Sequence, residues 1–304
     1  MKTLIAHPRF DYLADDLVAR NPDKIRKWQA DFLRFPDGTP NLRLPWVKEE
    51  IEHQDVTYIG DFSQAGELFE NYNAIFALVK NTANKVRIIM PYFPMGTSER
   101  IEEKWETETA HSFSNLISSL PSGRDSKNSI HIFDIHALVE QSIFDIHRIN
   151  TDLHTTTSLL KIHDEEMVVF PDDGAAKRFR KYLPTVPKER RIICWKERIG
   201  DKRVVTLKEG DPSGKDVIIV DDLIQTGATI QKAAIMLREK GALSVRAFAP
   251  HGVFPEDSHI RLASELNELI VTDSIPANIE RAKLLRNMRV ISIAPLIEKI
   301  LRIE

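Results

Sequence analysis

The chain has 304 residues, 42% of them hydrophobic, with a formal net charge of −3 and one cysteine, Cys194. That length and apolar share supply two cores of ordinary size, while so small a charge argues against a dedicated nucleic-acid surface. A single thiol excludes an internal disulfide framework and a multi-cysteine zinc site. No run approaches the roughly 18 apolar residues that span a bilayer, and the Met1-Lys2-Thr3 start leads to charged residues without a secretory core. The expectation is a cytoplasmic protein with neither a membrane nor a nucleic acid as partner.

Apolar strand-like runs alternate with helical patterns, the signature of parallel sheets built from strand-helix-strand units. In the first half the strand candidates are Val56–Ile59, Val86–Met90 and Ser129–Phe133, separated by helix candidates near 65–81 and 107–119. In the second half they are Met167–Phe170, Arg191–Trp195, Val217–Val220, Ser244–Phe248 and Glu268–Val271. These sets predict an α/β fold of two domains, 1–150 and 151–304. The last segment, 291–304, carries a helical apolar pattern that can pack back on the first half.

Four segments carry chemistry. Phe133-Asp134-Ile135-His136 recurs as Phe144-Asp145-Ile146-His147, and only the first copy ends a clear strand, so His147 reads as a structural histidine. Two Asp-x-His copies lack the closed spacing of structural zinc, and magnesium with its few protein ligands suits them better. The turn Phe170-Pro171-Asp172-Asp173-Gly174 follows a buried strand, which sets Asp172 at a strand's carboxyl end as a magnesium ligand or, more plainly, as a helix cap. Lys196-Glu197-Arg198 opens a basic stretch that either faces water as a solvated hairpin or closes over polyphosphate.

The most informative stretch is Val217 to Thr229, where a buried strand runs into Asp221-Asp222 and then Gln225-Thr226-Gly227-Ala228-Thr229 before a helical pattern. In such units the ligand sits beyond the carboxyl end of the strand, facing loop amides and a helix N-terminus. Those amides, with the hydroxyls of Thr226 and Thr229, suit a phosphate. The two aspartates repel one, and suit ribose hydroxyls or a magnesium ion bridging to them.

That loop resembles the phosphoribosyl-pyrophosphate (PRPP) motif, and the resemblance extends over most of the chain to the ribose-phosphate pyrophosphokinases. It rests on Phe35 to Leu42, Pro91 to Arg100, Asp134 to Leu138, Pro171 to Arg178, Lys196 to Arg203, the 217–229 loop, His251-Gly252-Val253-Phe254 and Thr272 to Pro276, in the family's order. The Gly96 to Arg100 and Phe35 to Gly38 wording is most similar to the plant-type, phosphate-independent class II members. The resemblance implies two phosphoribosyltransferase-like domains, each a mostly parallel sheet flanked by helices. It implies transfer of the diphosphoryl group of ATP to the C1 hydroxyl of ribose 5-phosphate, with Mg2+ as cofactor, in a homo-oligomer of three or more subunits.

Carried over residue by residue, the resemblance assigns the metal to His136 and Asp172, and catalysis to Lys196 and Arg198. Ribose 5-phosphate goes to Asp221, Asp222, Gln225, Thr226, Gly227, Ala228 and Thr229, and ATP to Phe35, Asp37 and Arg100. Thr97 and Ser98 stand where class I members have an Arg-Gln pair, and Glu102 to Glu106 is acidic where many of them carry a basic loop. Two other readings stand beside this one: a non-catalytic regulatory subunit associated with such a synthase, and a phosphoribosyltransferase. The joint presence of His136, Asp172, Lys196, Arg198, Asp221 and Asp222 argues against the first. The length and the Phe35 and Lys196 segments argue against the second.

Overall fold

The computed structural model describes residues 1–44, 53–80, 83–94, 108–135, 149–199 and 202–303. Arg100, His136, His147 and the acidic segment Glu102 to Glu106 lie outside the described residues. The chain divides into two compact units, Met1–His154 with Ala294–Glu304, and Thr155–Ile293.

The first unit is built on β1 (Lys2–Ala6), β2 (Ile25–Trp28), β5 (Asp55–Ile59), β6 (Lys85–Met90), β7 (Ser129–Phe133) and β8 (Asn150–His154), with a separate hairpin of β3 (Asp31–Arg34) and β4 (Pro40–Arg43). The sheet order is β2-β1-β5-β6-β7-β8, and every neighbouring pair in it is parallel. Its helices are α1 (Asp11–Arg20), α2 (Ala65–Lys80) and α3 (Thr109–Ser118). Because successive strand side chains point to opposite faces, Val56, Tyr58, Val86, Ile88, Ile130 and Ile132 share one face, packed with Ile75 and Leu78 of α2 and Phe113 and Ile117 of α3.

The second unit contains β9 (Met167–Phe170), β10 (Arg191–Ile199), β11 (Lys202–Glu209), β12 (Asp216–Val220), β13 (Leu223–Ile224), β14 (Ser244–Ala249), β15 (His251–Gly252), β16 (Glu268–Thr272) and β17 (Met288–Ile291). The large sheet runs β11-β10-β9-β12-β14-β16-β17, and β13 pairs with β15. All pairs are parallel except the β10–β11 hairpin. The helices are α4 (Asp173–Phe179), α5 (Ala228–Glu239), α6 (Ser258–Ser264) and α7 (Ala277–Leu284), and α8 (Ala294–Ile300) belongs to the first unit. There Asn21 Nδ2, just past α1, donates to the Glu298 carboxylate of α8 at 2.7 Å.

The continuous apolar runs of β9, β12 and β16 follow from burial on both faces of a parallel sheet. Val169, Val217, Ile219, Ala247 and Val271 pack with Ile230, Ala233 and Leu237 of α5. The alternate residues Val168, Phe170, Ile218, Val220, Phe248 and Ile270 pack with Ala175, Ala176 and Phe179 of α4. This double cover leaves the carboxyl ends of β9, β12 and β14 as one edge where loops carry polar groups. The basic stretch after Trp195 is part of the β10–β11 hairpin, in which Lys196 pairs with Val205 and Arg198 with Arg203.

Candidate functional site

In the second unit the chemistry collects where β9 and β12 end. Their register pairs Ile218 with Val168 and Ile219 with Val169, and Asp172 and Asp222 each follow two residues past the end of these neighbouring strands. Asp172 is the N-cap of α4, and its Oδ1 accepts from Ala175 N at 2.8 Å. The expected cap geometry is therefore present, and the carboxylate stands at the strand end as well. Its negative charge reaches Cys194: the buried thiol is pushed up to about 12, first by burial and then by Asp172. A thiol so held stays protonated and is no nucleophile.

The two adjacent aspartates have different surroundings. Asp221 is half-buried; its amide donates to Phe248 O at 3.0 Å, and its Oδ1 accepts from Asp222 N at 3.0 Å. Asp222 is buried and forms an ion pair with Arg178 of α4. Arg178, which sequence reasoning did not single out, ties the end of β12 to the helix that follows β9. Asp173, next to Asp172, is held on both oxygens by Lys208 Nζ at 2.8 Å, and that ammonium lies 4.8 Å from the Trp195 ring centroid.

Beyond Asp222 the chain makes a nest. Gln225, Thr226 and Ala228 are exposed, Thr229 is half-buried and Gly227 is buried. Gly227 has φ +72°, and a Cβ there would come within 2.8 Å of Leu262 Cδ2. Both the left-handed backbone and the close approach of α6 require glycine. The N-cap of α5 is Gly227, which has no side chain, and Ala228 N donates to Thr226 Oγ1 only at 3.5 Å, so the first-turn amides and the dipole's positive end face the loop, the ordinary environment for a phosphate.

The donor set at these strand ends is made of carboxylate oxygens, the hard ligands that magnesium takes. Asp172 and Asp221 fit that role, whereas the pairing of Asp222 with Arg178 gives its carboxylate a competing partner. In the first unit, His7, Glu67 and Glu70 bring one ligand atom each within 4.8 Å of one another, a grouping that sequence reasoning missed because β1 and α2 bring it together. It is already supplied with a cation, since Arg34 pairs with Glu70 and lies 3.6 Å from Glu67.

Phe35 and Asp37 sit in the turn of the β3–β4 hairpin. Phe35 N donates to Thr39 O and Gly38 N to Phe35 O, both at 2.8 Å, and Phe35 is 50% exposed, unusual for so large an apolar ring. Asp37 Oδ1 accepts from Thr39 N at 2.9 Å, and that amide holds its carboxyl below the usual carboxylate range. The turn thus presents an aromatic face and an ionised carboxylate side by side.

Residues 186–304 match a family model described as the phosphoribosyl synthetase-associated domain. The chain is 36% identical, over 96% of its own length and 73% of the relative's, to ribose-phosphate pyrophosphokinase 3, chloroplastic, of Oryza sativa subsp. japonica. It is 34% identical to ribose-phosphate pyrophosphokinase 4 of the same plant, over 94% of this chain and 91% of that one. A crystal structure of phosphoribosylpyrophosphate synthetase from Mycobacterium smegmatis superposes with a TM-score of 0.82 at 26% identity, over 99% of this chain and 98% of that one. Among the described residues no helix is long and apolar enough to cross a membrane. With near full-length likeness in both sequence and fold, the chain belongs to the ribose-phosphate pyrophosphokinase family.

Proposed function

We propose that the protein transfers the diphosphoryl group of ATP to the C1 hydroxyl of ribose 5-phosphate, giving PRPP and AMP for nucleotide biosynthesis. The observation that carries this reading is the nest at 225–229, with its left-handed Gly227 as the N-cap of α5, set directly after the acidic end of β12. Gln225, Thr226, Gly227, Ala228 and Thr229 hold the 5-phosphate through backbone amides and hydroxyls. Asp221 accepts hydrogen bonds from the ribose hydroxyls, and Asp222 shares that task while paired to Arg178.

Phe35 stacks on adenine and Asp37 accepts from its amino group, with Arg100 on the ATP phosphates. The anomeric oxygen attacks the β-phosphorus of ATP and the bond to the α,β-bridging oxygen breaks. AMP leaves with the electron pair, and the hydroxyl proton passes to solvent. Little of this requires covalent participation by the protein; it requires alignment and compensation of charge. Lys196 and Arg198 supply donors to the transferring oxygens. Asp172 and His136 would hold Mg2+, which when bound neutralises polyphosphate charge.

The likeness of the Phe35 to Gly38 and Gly96 to Arg100 wording to class II members implies an enzyme that does not need phosphate, assembled as a homo-oligomer of three or more subunits. A reducing, cytoplasmic setting suits the one buried cysteine. Calorimetric titration tests the sugar site: ribose 5-phosphate binds the wild type, and the Asp221→Asn, Asp222→Asn double variant binds it more weakly while remaining folded. Equal binding by both proteins would remove the aspartates from the site.

A further inference from the structure

The nest at 225–229 is not held by its own strand alone. The short β13 pairs in parallel with β15, Leu223 beside His251 and Ile224 beside Gly252. Val253 N then donates to Ile224 O at 2.8 Å and Phe254 N to Gln225 O at 3.2 Å. The loop's backbone therefore hangs from the segment after β15, and whatever fixes Phe254 fixes Gln225.

That segment is in an unfavourable conformation. Phe254 is 1% exposed and has φ +51°, with Glu256 at +50° and Asp257 at +54°. Non-glycine residues in the left-handed region carry a conformational cost, and they persist where surrounding contacts over-determine them. Gly252 permits the fold of this segment, because a Cβ there would lie 2.2 Å from the Phe254 ring.

The over-determining contact comes from α7. Arg281 Nη1 donates to Gly252 O at 3.4 Å and to Asn278 Oδ1 at 2.9 Å, and Nη2 donates to Phe254 O at 3.3 Å. Its guanidinium carbon lies 5.6 Å from the Phe254 ring centroid. Asp257 and the buried His259 are the titratable groups that face it, and burial lowers its own pKa. A planar fork with several donors can span two carbonyls at once, which an ammonium cannot do. Two hydrogen bonds in series, Arg281 to Phe254 O and Phe254 N to Gln225 O, connect α7 to the nest.

We propose that Arg281 is a positioning residue for the phosphate end of the sugar site, acting through Gly252 and Phe254 on Gln225. The inference rests on the reading that the nest binds the 5-phosphate. Steady-state KM values for ribose 5-phosphate and ATP, kcat, and the midpoint of urea unfolding are measured for the full chain and for Arg281→Ala, Arg281→Lys and a Thr226→Val, Thr229→Val variant. Arg281→Ala raises the ribose 5-phosphate KM about tenfold, ~1.4 kcal/mol, with the ATP KM and kcat little changed. Arg281→Lys falls between the two.

An unchanged sugar KM in Arg281→Ala overturns the proposal. So does a common shift of both KM values, kcat and the unfolding midpoint, which marks a merely structural role. If the alanine variant does not fold, the lysine variant carries the same test, since it keeps the charge but loses the fork. The double threonine variant separates the two failures. An unchanged sugar KM there overturns the nest as phosphate site, whereas a raised KM there beside an unchanged one in the Arg281 variants overturns only the role of Arg281.

Discussion

Arg178 of α4 and Asp222 at the end of β12 form an ion pair that joins two neighbouring strand ends. Asp222 is buried and the Arg178 side chain is only 19% exposed. Two adjacent carboxylates at a strand end repel each other and suffer from desolvation. The guanidinium offsets that cost for one of them and leaves Asp221, half-buried, on the more accessible side. The acidic doublet is thus one carboxylate anchored by Arg178 and one more accessible carboxylate.

Removing the cation exposes the cost. Arg178→Ala leaves a buried carboxylate without its guanidinium and should lower stability by about 3 kcal/mol, the usual penalty for breaking a buried pair from one side. Adding Asp222→Asn should recover much of the loss. Urea unfolding of the two variants and the wild type measures this, and equal midpoints for all three would mean the pair is energetically silent.

Replacement of Lys196 or Arg198 by alanine should lower turnover by about two to three orders of magnitude, ~2.7–4 kcal/mol of transition-state stabilisation. Binding of ribose 5-phosphate should change little. Single-turnover rates beside sugar titrations check both halves, and unchanged turnover would take the β10–β11 hairpin out of the mechanism.

Gly227→Ala meets two obstacles, a left-handed backbone at φ +72° and Leu262 Cδ2 at 2.8 Å. The strain alone amounts to about 1–2 kcal/mol. The expected outcome is a lower melting temperature together with weaker ribose 5-phosphate binding, because the loop shifts to relieve the contact. Wild-type affinity in this variant would contradict the nest.

Stability should also depend on pH through the first unit. His131 Nδ1 and His154 Nε2 are 3.0 Å apart, and burial lowers the pKa of both, that of His131 to about 3. The unfolded imidazole titrates near its ordinary value of about 6.5. Between the two pKa values the unfolded chain binds the extra proton, so stability is highest above about 6.5 and falls as pH drops toward 3. For His131 alone the loss at pH 5 is about 2 kcal/mol. Denaturation at pH 7.5 and pH 5 should show it, and His131→Asn should flatten the dependence.

Much of the second unit is legible in the chain itself. Val217–Val220 and Leu269–Val271 are continuous apolar runs because both faces of a parallel sheet are covered, and each lies in a strand. The β10–β11 hairpin is legible only in part, since its charged residues read equally as a solvated loop. Among the strands not picked out are β1, a short run at the chain start, and the edge strands β2 and β8, whose partial exposure breaks any apolar period. In the site, Asp172, Asp221 and the nest are local motifs and could be read directly. Arg178 and Arg281 could not, because their partners are set by strand register and by the placement of α7, which no local pattern records.

Product stoichiometry tests the diphosphoryl transfer most directly. Purified protein is incubated with ribose 5-phosphate, ATP and magnesium, with and without inorganic phosphate, and AMP and PRPP are quantified. Equal amounts of both products are expected, in either condition. Binding of both substrates with neither product formed would contradict it and point to a regulatory subunit.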